Sequence, residues 1–180
     1  MERFEKSWIL IDTNLLIEIL KDTDQKHFGD FLGELRELKI TPVIERSVLF
    51  EFRRGSRTKK HLDGKNTFLE ILLGEERNRF YLPSSNSAEI AENAEKLAVL
   101  YSHHDPKLSR ISFVDCLVAA QLMKYEKMCL ATLDNADYPL IIFDRHKVYT
   151  IDTEKEIHNI GIYTFNKMKY EKCREAFEKS

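Results

Sequence analysis

The segment Trp8-Ile-Leu-Ile-Asp12-Thr13-Asn14 decides how this chain is expected to fold. A short apolar run stops at an acid, and two small polar side chains follow it. Such a run predicts a buried strand. In an open parallel sheet, the loops just beyond the carboxyl ends of the strands form the ligand crevice. Asp12 is therefore predicted to lie at the sheet edge where ligands bind.

A second apolar run, residues 128–133, ends in the same way at Asp134. The hydrophobic pattern predicts strands at 8–11, 40–44, 79–82, 128–133, 140–143, 148–151 and 160–165. It predicts helices over 15–20, 28–38, 67–73, 86–103 and 167–179, and two more that open at Ser47 and Ser112. Strands that alternate with helices indicate an α/β sandwich around a mostly parallel sheet.

Length and composition indicate one globular domain. The chain has 180 residues, of which 43% are hydrophobic and 32% charged, with a net charge of -2. No apolar run approaches the length that spans a membrane. The first six residues show no signal peptide, so a cytoplasmic location is expected. Cys116, Cys129 and Cys173 are widely spaced and predict reduced thiols. We expect the domain over 1–166 and a charged C-terminal helix or tail over 167–180.

Two further acids stand where helices are expected to begin. Ser47 is predicted to cap a helix with Glu51 in its first turns, and Ser112 is followed three residues later by Asp115. Both acids have a purely structural alternative as helix-start residues. In the same way, Asp134 and Asp137 have the alternative of an ordinary turn.

Taken together, the acids predict a metal site. Carboxylates at one sheet edge repel one another, and a divalent cation among them removes that repulsion. Oxygen ligands without histidine or cysteine suit Mg²⁺ or Mn²⁺, and two such ions can promote phosphodiester hydrolysis. The candidate direct ligands are Asp12, Asp115 and Asp134, with Glu51 direct or through water and Asp137 more distant. Small polar residues suited to orienting these carboxylates are Thr13, Asn14 and Thr132.

The ordered motifs resemble those of the PIN-domain nucleases. They are an apolar strand with Asp12-Thr13-Asn14, Ser47 with Glu51, Ser112-x-x-Asp115, and 132–138 with Asp134 and Asp137. This resemblance implies a three-layer α/β/α fold, Mg²⁺ or Mn²⁺, and endonucleolytic cleavage of single-stranded or structured RNA. Many members are toxins of bacterial toxin–antitoxin pairs, so an antitoxin partner and a homodimer are further expectations.

Residues 53–65 lack a hydrophobic pattern and are predicted to form an exposed loop. The segment contains many basic residues and a single acid, Asp63. The residues expected to guide RNA are Arg53, Arg54, Arg57, Lys59 and Lys60. The alternative is a solvated loop without a ligand.

Other features are given structural interpretations. His103 and His104 are expected to complement a helix dipole rather than bind metal. Trp8, Phe50 and Phe113 are expected in the core rather than as platforms for base stacking.

Two rival functions remain open at this point. A catalytically silent PIN-like module would bind RNA or protein without cutting. A haloacid-dehalogenase-like phosphatase would use Asp12 as nucleophile, but that pattern needs an acid where the chain has Asn14.

Overall fold

The computed structural model describes residues 8–22, 26–74, 81–82 and 87–180. The strands of this part are β1 (Trp8–Ile11), β2 (Thr41–Glu45), β3 (Tyr81–Leu82), β4 (Met128–Thr132), β5 (Phe143–Asp152) and β6 (Ile157–Phe165). Its α-helices are α1 (Thr13–Lys21), α2 (Gly29–Glu37), α3 (Arg46–Arg54), α4 (Lys59–Leu73), α5 (Ser87–His104), α6 (Phe113–Lys124) and α7 (Lys167–Glu178). A short 3-10 helix, Pro106–Arg110, lies between α5 and α6.

The six strands form one sheet in the order β3-β2-β1-β4-β6-β5. β1 pairs in parallel with β2 and β4, and β2 pairs in parallel with β3. β6 is antiparallel to both β4 and β5. The fold is therefore α/β with a mixed sheet, parallel from β1 to β4 and antiparallel in the β5–β6 hairpin.

The central strands are covered on both faces. Ile9, Leu10 and Ile11 of β1 are buried in succession, and so are all five residues of β4. Successive side chains of a strand point to opposite faces. Helices must therefore pack on each side of β1 and β4, which leaves the carboxyl edge of these strands as the open place for polar side chains.

The predicted cap of α3 is wrong, whereas that of α6 is confirmed. α3 is capped by Glu45, whose carboxylate accepts hydrogen bonds from both the backbone N–H and the hydroxyl of Ser47. In α6 the Ser112 hydroxyl accepts from the Asp115 N–H at 3.1 Å and donates to the Asp115 carboxylate at 2.6 Å. That carboxylate also accepts from the Ser112 backbone N–H, which completes a capping box. The predicted cap at Asn86 lies outside the described residues.

The predicted loop over 53–65 is mostly helical. α3 continues to Arg54, and α4 already begins at Lys59, after Thr58 caps it by accepting from the His61 N–H at 3.2 Å. Leu69 and Leu73 of α4 are buried, and Lys65 donates to the carbonyl oxygen of Phe52. This tertiary packing outweighs the helix-weakening effect of Gly64.

The chain beyond Pro139 also differs in part from the prediction. Residues 140–142 form a turn rather than a strand, because the N–H groups of Ile142 and Phe143 both donate to the carbonyl of Pro139 at 3.0 Å. The predicted strands at 148–151 and 160–165 fall inside the longer β5 and β6. Helix α7 buries Tyr170 and contacts α5, while the domain boundary after residue 166 stays a prediction.

Three aromatic residues expected in the core are exposed. The exposed fractions are 41% for Trp8, 63% for Phe50 and 62% for Phe113. Phe50 lies on the side of α3 opposite Val48 and Phe52, which occupy the core. The core prediction for these rings is therefore wrong.

Two general expectations concern the cysteines and the length of the helices. Cys116, Cys129 and Cys173 are thiols, since none of them forms a disulfide in the described part of the chain. Within the described ranges, no helix is long and apolar enough to cross a membrane.

Candidate active site

Asp12 lies at the carboxyl end of β1 and is buried, with 3% of its surface exposed. One carboxylate oxygen accepts from the Thr13 N–H at 2.6 Å, which caps α1. The other accepts from the Thr132 hydroxyl at 2.7 Å. Burial raises the pKa of the Asp12 carboxyl to about 6, although both hydrogen bonds act to lower it. An acid held in this way is costly to ionise without a nearby positive charge.

Thr132 and Asn14 join the ends of β1 and β4. The Thr132 hydroxyl donates to Asp12 and accepts from the Asp134 N–H at 2.9 Å. The side-chain oxygen of Asn14 accepts from the Leu133 N–H at 3.3 Å. Two strands that are adjacent in the sheet thus fix the backbone that carries two of the candidate acids.

Glu51 and Asp115 approach Asp12 from two helices. The Thr13 hydroxyl donates to Glu51 of α3 at 3.0 Å. Asp115 sits in the first turn of α6 and is held by Ser112. Its pKa is raised by burial first and then by the negative charges of Glu51 and Asp134. The two helices therefore bring their carboxylates to the same edge of the sheet.

Asp134 and Asp137 come from the loop that follows β4. Burial raises the pKa of Asp137 to about 7, with further contributions from the charges of Asp134, Asp115 and Asp12. The structure thus places each of the five predicted acids within electrostatic range of at least two of the others. We name this set the acidic cluster: Asp12, Glu51, Asp115, Asp134 and Asp137.

Asn135 anchors the loop that carries Asp134 and Asp137. Its amide nitrogen donates to the Asn159 carbonyl at 2.8 Å, and its oxygen accepts from the Tyr163 hydroxyl at 2.8 Å. Gly161 leaves room for this arrangement, since a Cβ there would lie 2.1 Å from the Asn135 side-chain oxygen. These contacts were not predicted, because Asn159, Gly161 and Tyr163 lie 24 to 28 residues after Asn135 in the sequence.

The acidic cluster fits a divalent cation by its chemistry. All five side chains offer oxygen, and none forms an ion pair with a Lys, Arg or His among the residues that the structure describes. Within the part of the chain that the structure describes, the buried hydroxyls of Tyr101 and Tyr138 have no hydrogen-bond partner. Burial raises the pKa of both hydroxyls, and the negative charge of Asp115 raises it further. Unpaired buried polar groups beside uncompensated acids indicate a polar ligand at this place.

No three carboxylates of the acidic cluster, all of them described residues, place their ligand atoms within 4.8 Å of one another, although Asp134 and Asp137 share a side-chain hydrogen bond. In the described part of the chain, the group of acids and histidines whose ligand atoms all lie within 4.8 Å of one another is Glu18, Glu156 and His158. That group lies elsewhere and was not predicted, because its members are far apart in the sequence. Glu18 is already paired with Lys21 at 2.6 Å.

His103 and His104 are exposed at the end of α5, as the helix-dipole interpretation expects. The ring of His103 packs against Phe177, with ring centroids 5.2 Å apart. Asp105 caps the 3-10 helix by accepting from the Lys107 N–H at 2.9 Å.

The predicted RNA-guiding cations lie at the end of α3 and the start of α4. We name them the basic segment: Arg53, Arg54, Arg57, Lys59 and Lys60. Arg53 is half-buried and the other four are exposed. In the described ranges, none of the five is in an ion pair. Their charge is thus available to an anionic ligand close to Glu51.

One known protein family matches most of the chain. The family model described as the PIN domain matches residues 9–138, which is more than two thirds of the chain. Neither the curated proteins nor the solved structures contain a match to the chain. The matched region contains β1 apart from Trp8, all of β2, β3 and β4, and every member of the acidic cluster. On this match, the chain belongs to the PIN-domain family, whose members are generally nucleases.

Proposed function

We propose that the chain is a divalent-metal-dependent endoribonuclease whose active site is the acidic cluster. The observation that carries the proposal is the convergence of five carboxylates, without a described cationic side chain among them, at the carboxyl edge of parallel strands. Asp12, Asp115 and Asp134 would hold Mg²⁺ or Mn²⁺ directly. Glu51 would do so directly or through water, and Asp137 through water. PIN-family membership supports the nuclease chemistry.

The side chains around the acids keep them oriented. Thr132 fixes one oxygen of Asp12, Thr13 fixes Glu51, and Ser112 fixes Asp115. When bound, a divalent cation supplies a Lewis acid that makes water a better nucleophile and stabilises the charge on phosphate and leaving oxygen. The chain's own contribution is to hold the carboxylates ready at one edge, so that little reorganisation is needed when substrate arrives.

The test is cleavage of mixed RNAs by the purified protein in Mn²⁺, Mg²⁺ or excess EDTA. Internal cuts are expected with either ion and none with EDTA, and adding Mn²⁺ back should restore them. Cleavage that persists in EDTA would contradict the proposal. Binding without any cleavage in either ion would favour the rival, a PIN-like module that only binds RNA or protein. A toxin role and an antitoxin partner stay predictions, which gene neighbourhood and co-purification can test.

Replacing Thr132 with Val is expected to weaken cation binding by about 10- to 100-fold, the range seen when a group that orients a ligand is lost. Val keeps the shape but leaves one of the two Asp12 oxygens without its donor and the Asp134 N–H without its acceptor. Calorimetric titration with Mn²⁺ measures the effect. Thr150→Val, at an exposed position on β5, is the control and should bind like the wild type. Equal affinity in both variants would exclude the orienting role of Thr132.

Charge reversal at Arg54 and Lys60 is expected to weaken RNA binding. If each residue neutralises one phosphate, each loss should reduce the slope of log affinity against log salt by about 1. Fluorescence anisotropy in EDTA at several salt concentrations measures this. Lys172→Glu, on the exposed side of α7, is the matched control. A salt slope that does not change in Arg54→Glu and Lys60→Glu would mean that the basic segment does not contact RNA.

A further inference from the structure

The outer face of α3 combines an exposed aromatic ring with arginines. Phe50 is 63% exposed, and Arg46 and Arg54 stand four residues before and after it. Residues four apart lie on the same face of a helix, so both arginines stand on the face of α3 that carries the ring. Both arginines are exposed, and neither forms an ion pair in the part of the chain described here. The face therefore offers an apolar plane between two free positive charges.

A second exposed ring stands on the neighbouring helix. Phe113 is 62% exposed and opens α6, next to Ser112, which holds Asp115. α3 and α6 are in contact. Phe50 is likewise the immediate neighbour of Glu51. Each ring is thus attached to an element that carries a member of the acidic cluster.

The exposed rings and arginines of α3 and α6 suit a nucleic acid better than a protein partner. Nucleic-acid bases stack on aromatic rings, and arginines attract backbone phosphates. A second copy of the chain fits less well. In a twofold interface the same patch meets itself, so the arginines beside Phe50 would face arginines. The basic segment extends the positive charge from the end of α3, which again favours a polyanion over an apolar protein surface.

We propose that Phe50 and Phe113 stack on unpaired bases next to the phosphodiester that is cut, while Arg46 and Arg54 contact the flanking phosphates. A base within a duplex has both faces covered by its neighbours, so the rings act only on single-stranded RNA. The statement that these bases flank the cut rests on the proposed function, whereas the stacking itself does not.

The test is binding of a fluorescent single-stranded RNA in EDTA, which prevents metal-dependent cutting. Phe50→Ala and Phe113→Ala should each weaken binding by about 5- to 100-fold, the range for loss of one stacking platform. Phe50→Trp should bind at least as tightly as the wild type. Met168→Ala removes an apolar side chain that is also exposed, at 74%, from α7 and should have no effect. Fully duplex RNA should bind with the same affinity to wild type and to Phe50→Ala.

Three results would overturn the inference: unchanged single-strand affinity in both alanine variants, an equal loss for duplex RNA, or a wild-type dimer that Phe50→Ala converts to monomers in sedimentation. Failure of the proposed function gives a different pattern. In that case the single strand binds with the expected dependence on Phe50, but Mn²⁺ produces no cleavage. If cleavage occurs and both alanine variants bind and cut like the wild type, the stacking inference alone fails.

Discussion

RNA cleavage is expected to fall by more than about 100-fold in Asp12→Asn, because even the loss of an outer partner of a metal ligand costs up to that factor. Asn offers one neutral oxygen in place of a charged carboxylate, so it holds a divalent cation poorly. The loss should not come from misfolding. The Asn side-chain oxygen can still accept from the Thr13 N–H, which keeps the cap of α1.

Asp115→Asn should lose activity to a similar extent. Its side-chain oxygen can still accept from the Ser112 hydroxyl, so the capping box of α6 survives the change. A time course of cleavage in Mn²⁺ measures both variants, and circular dichroism checks their folding. Asp30→Asn, an exposed acid in the first turn of α2, is the control for losing one charge. Full activity in both Asp12→Asn and Asp115→Asn would place the active site elsewhere.

The position of Asp12 was predictable because a short apolar run and a following acid are local in the sequence. The same rule also describes Glu45, which ends β2 and is only 4% exposed. The Glu45 carboxylate, however, accepts hydrogen bonds from Ser47 and caps α3. The pattern therefore identifies acids at the sheet edge that cap the next helix, Asp12 for α1 and Glu45 for α3, but it does not show which of them also meets other acids. That difference depends on the fold, which brings Asp115 and Glu51 within electrostatic range of Asp12.

The extent of α4 was not predictable from local signals. Residues 59–65 contain Gly64 and few apolar side chains, which is typical of a loop. The segment is helical because Lys65 reaches back to the Phe52 carbonyl and ring, and because Leu69 and Leu73 enter the core. These contacts join distant turns of the chain, and tertiary packing of this kind overrides weak propensity.

The exposed aromatic rings were misplaced for a related reason. The run 48–50 is wholly apolar, which suggests burial of every member. A helix, however, turns about 100° per residue, so Val48 and Phe52 can face the core only if Phe50 faces away. A helix that opens at Ser47 was predicted, so the exposure of Phe50 follows from that helix once its turn per residue is taken into account. The surface that underlies the stacking inference was therefore missed because the apolar run was assigned to the core without regard to its helical phase.

The burial of Asp12 also has a consequence for stability in the absence of metal. Its pKa rises from 3.8 to about 6 on folding, so the folded state binds the proton more tightly than the unfolded state does. Ionised Asp12 therefore lowers the free energy of unfolding of the metal-free protein. This loss is complete above pH 6, shrinks as the pH falls from 6 to 3.8, and is absent below 3.8. Through this group, the metal-free protein gains stability as the pH falls through that window.

Asp12→Asn should therefore make the metal-free protein more stable at pH 7.5, by about 1 to 3 kcal/mol of unfolding free energy. The lower end applies if Thr132 loses its acceptor. Urea unfolding in EDTA at pH 7.5 and pH 5 measures the effect, and the gain should be smaller at pH 5, where the wild-type acid is largely protonated. Added Mn²⁺ should stabilise the wild type much more than the variant, since binding to the folded state alone raises stability. A variant that is less stable than the wild type at pH 7.5 without metal would show that Asp12 is not an unpaired buried charge, and would remove the main electrostatic reason for a cation at this site.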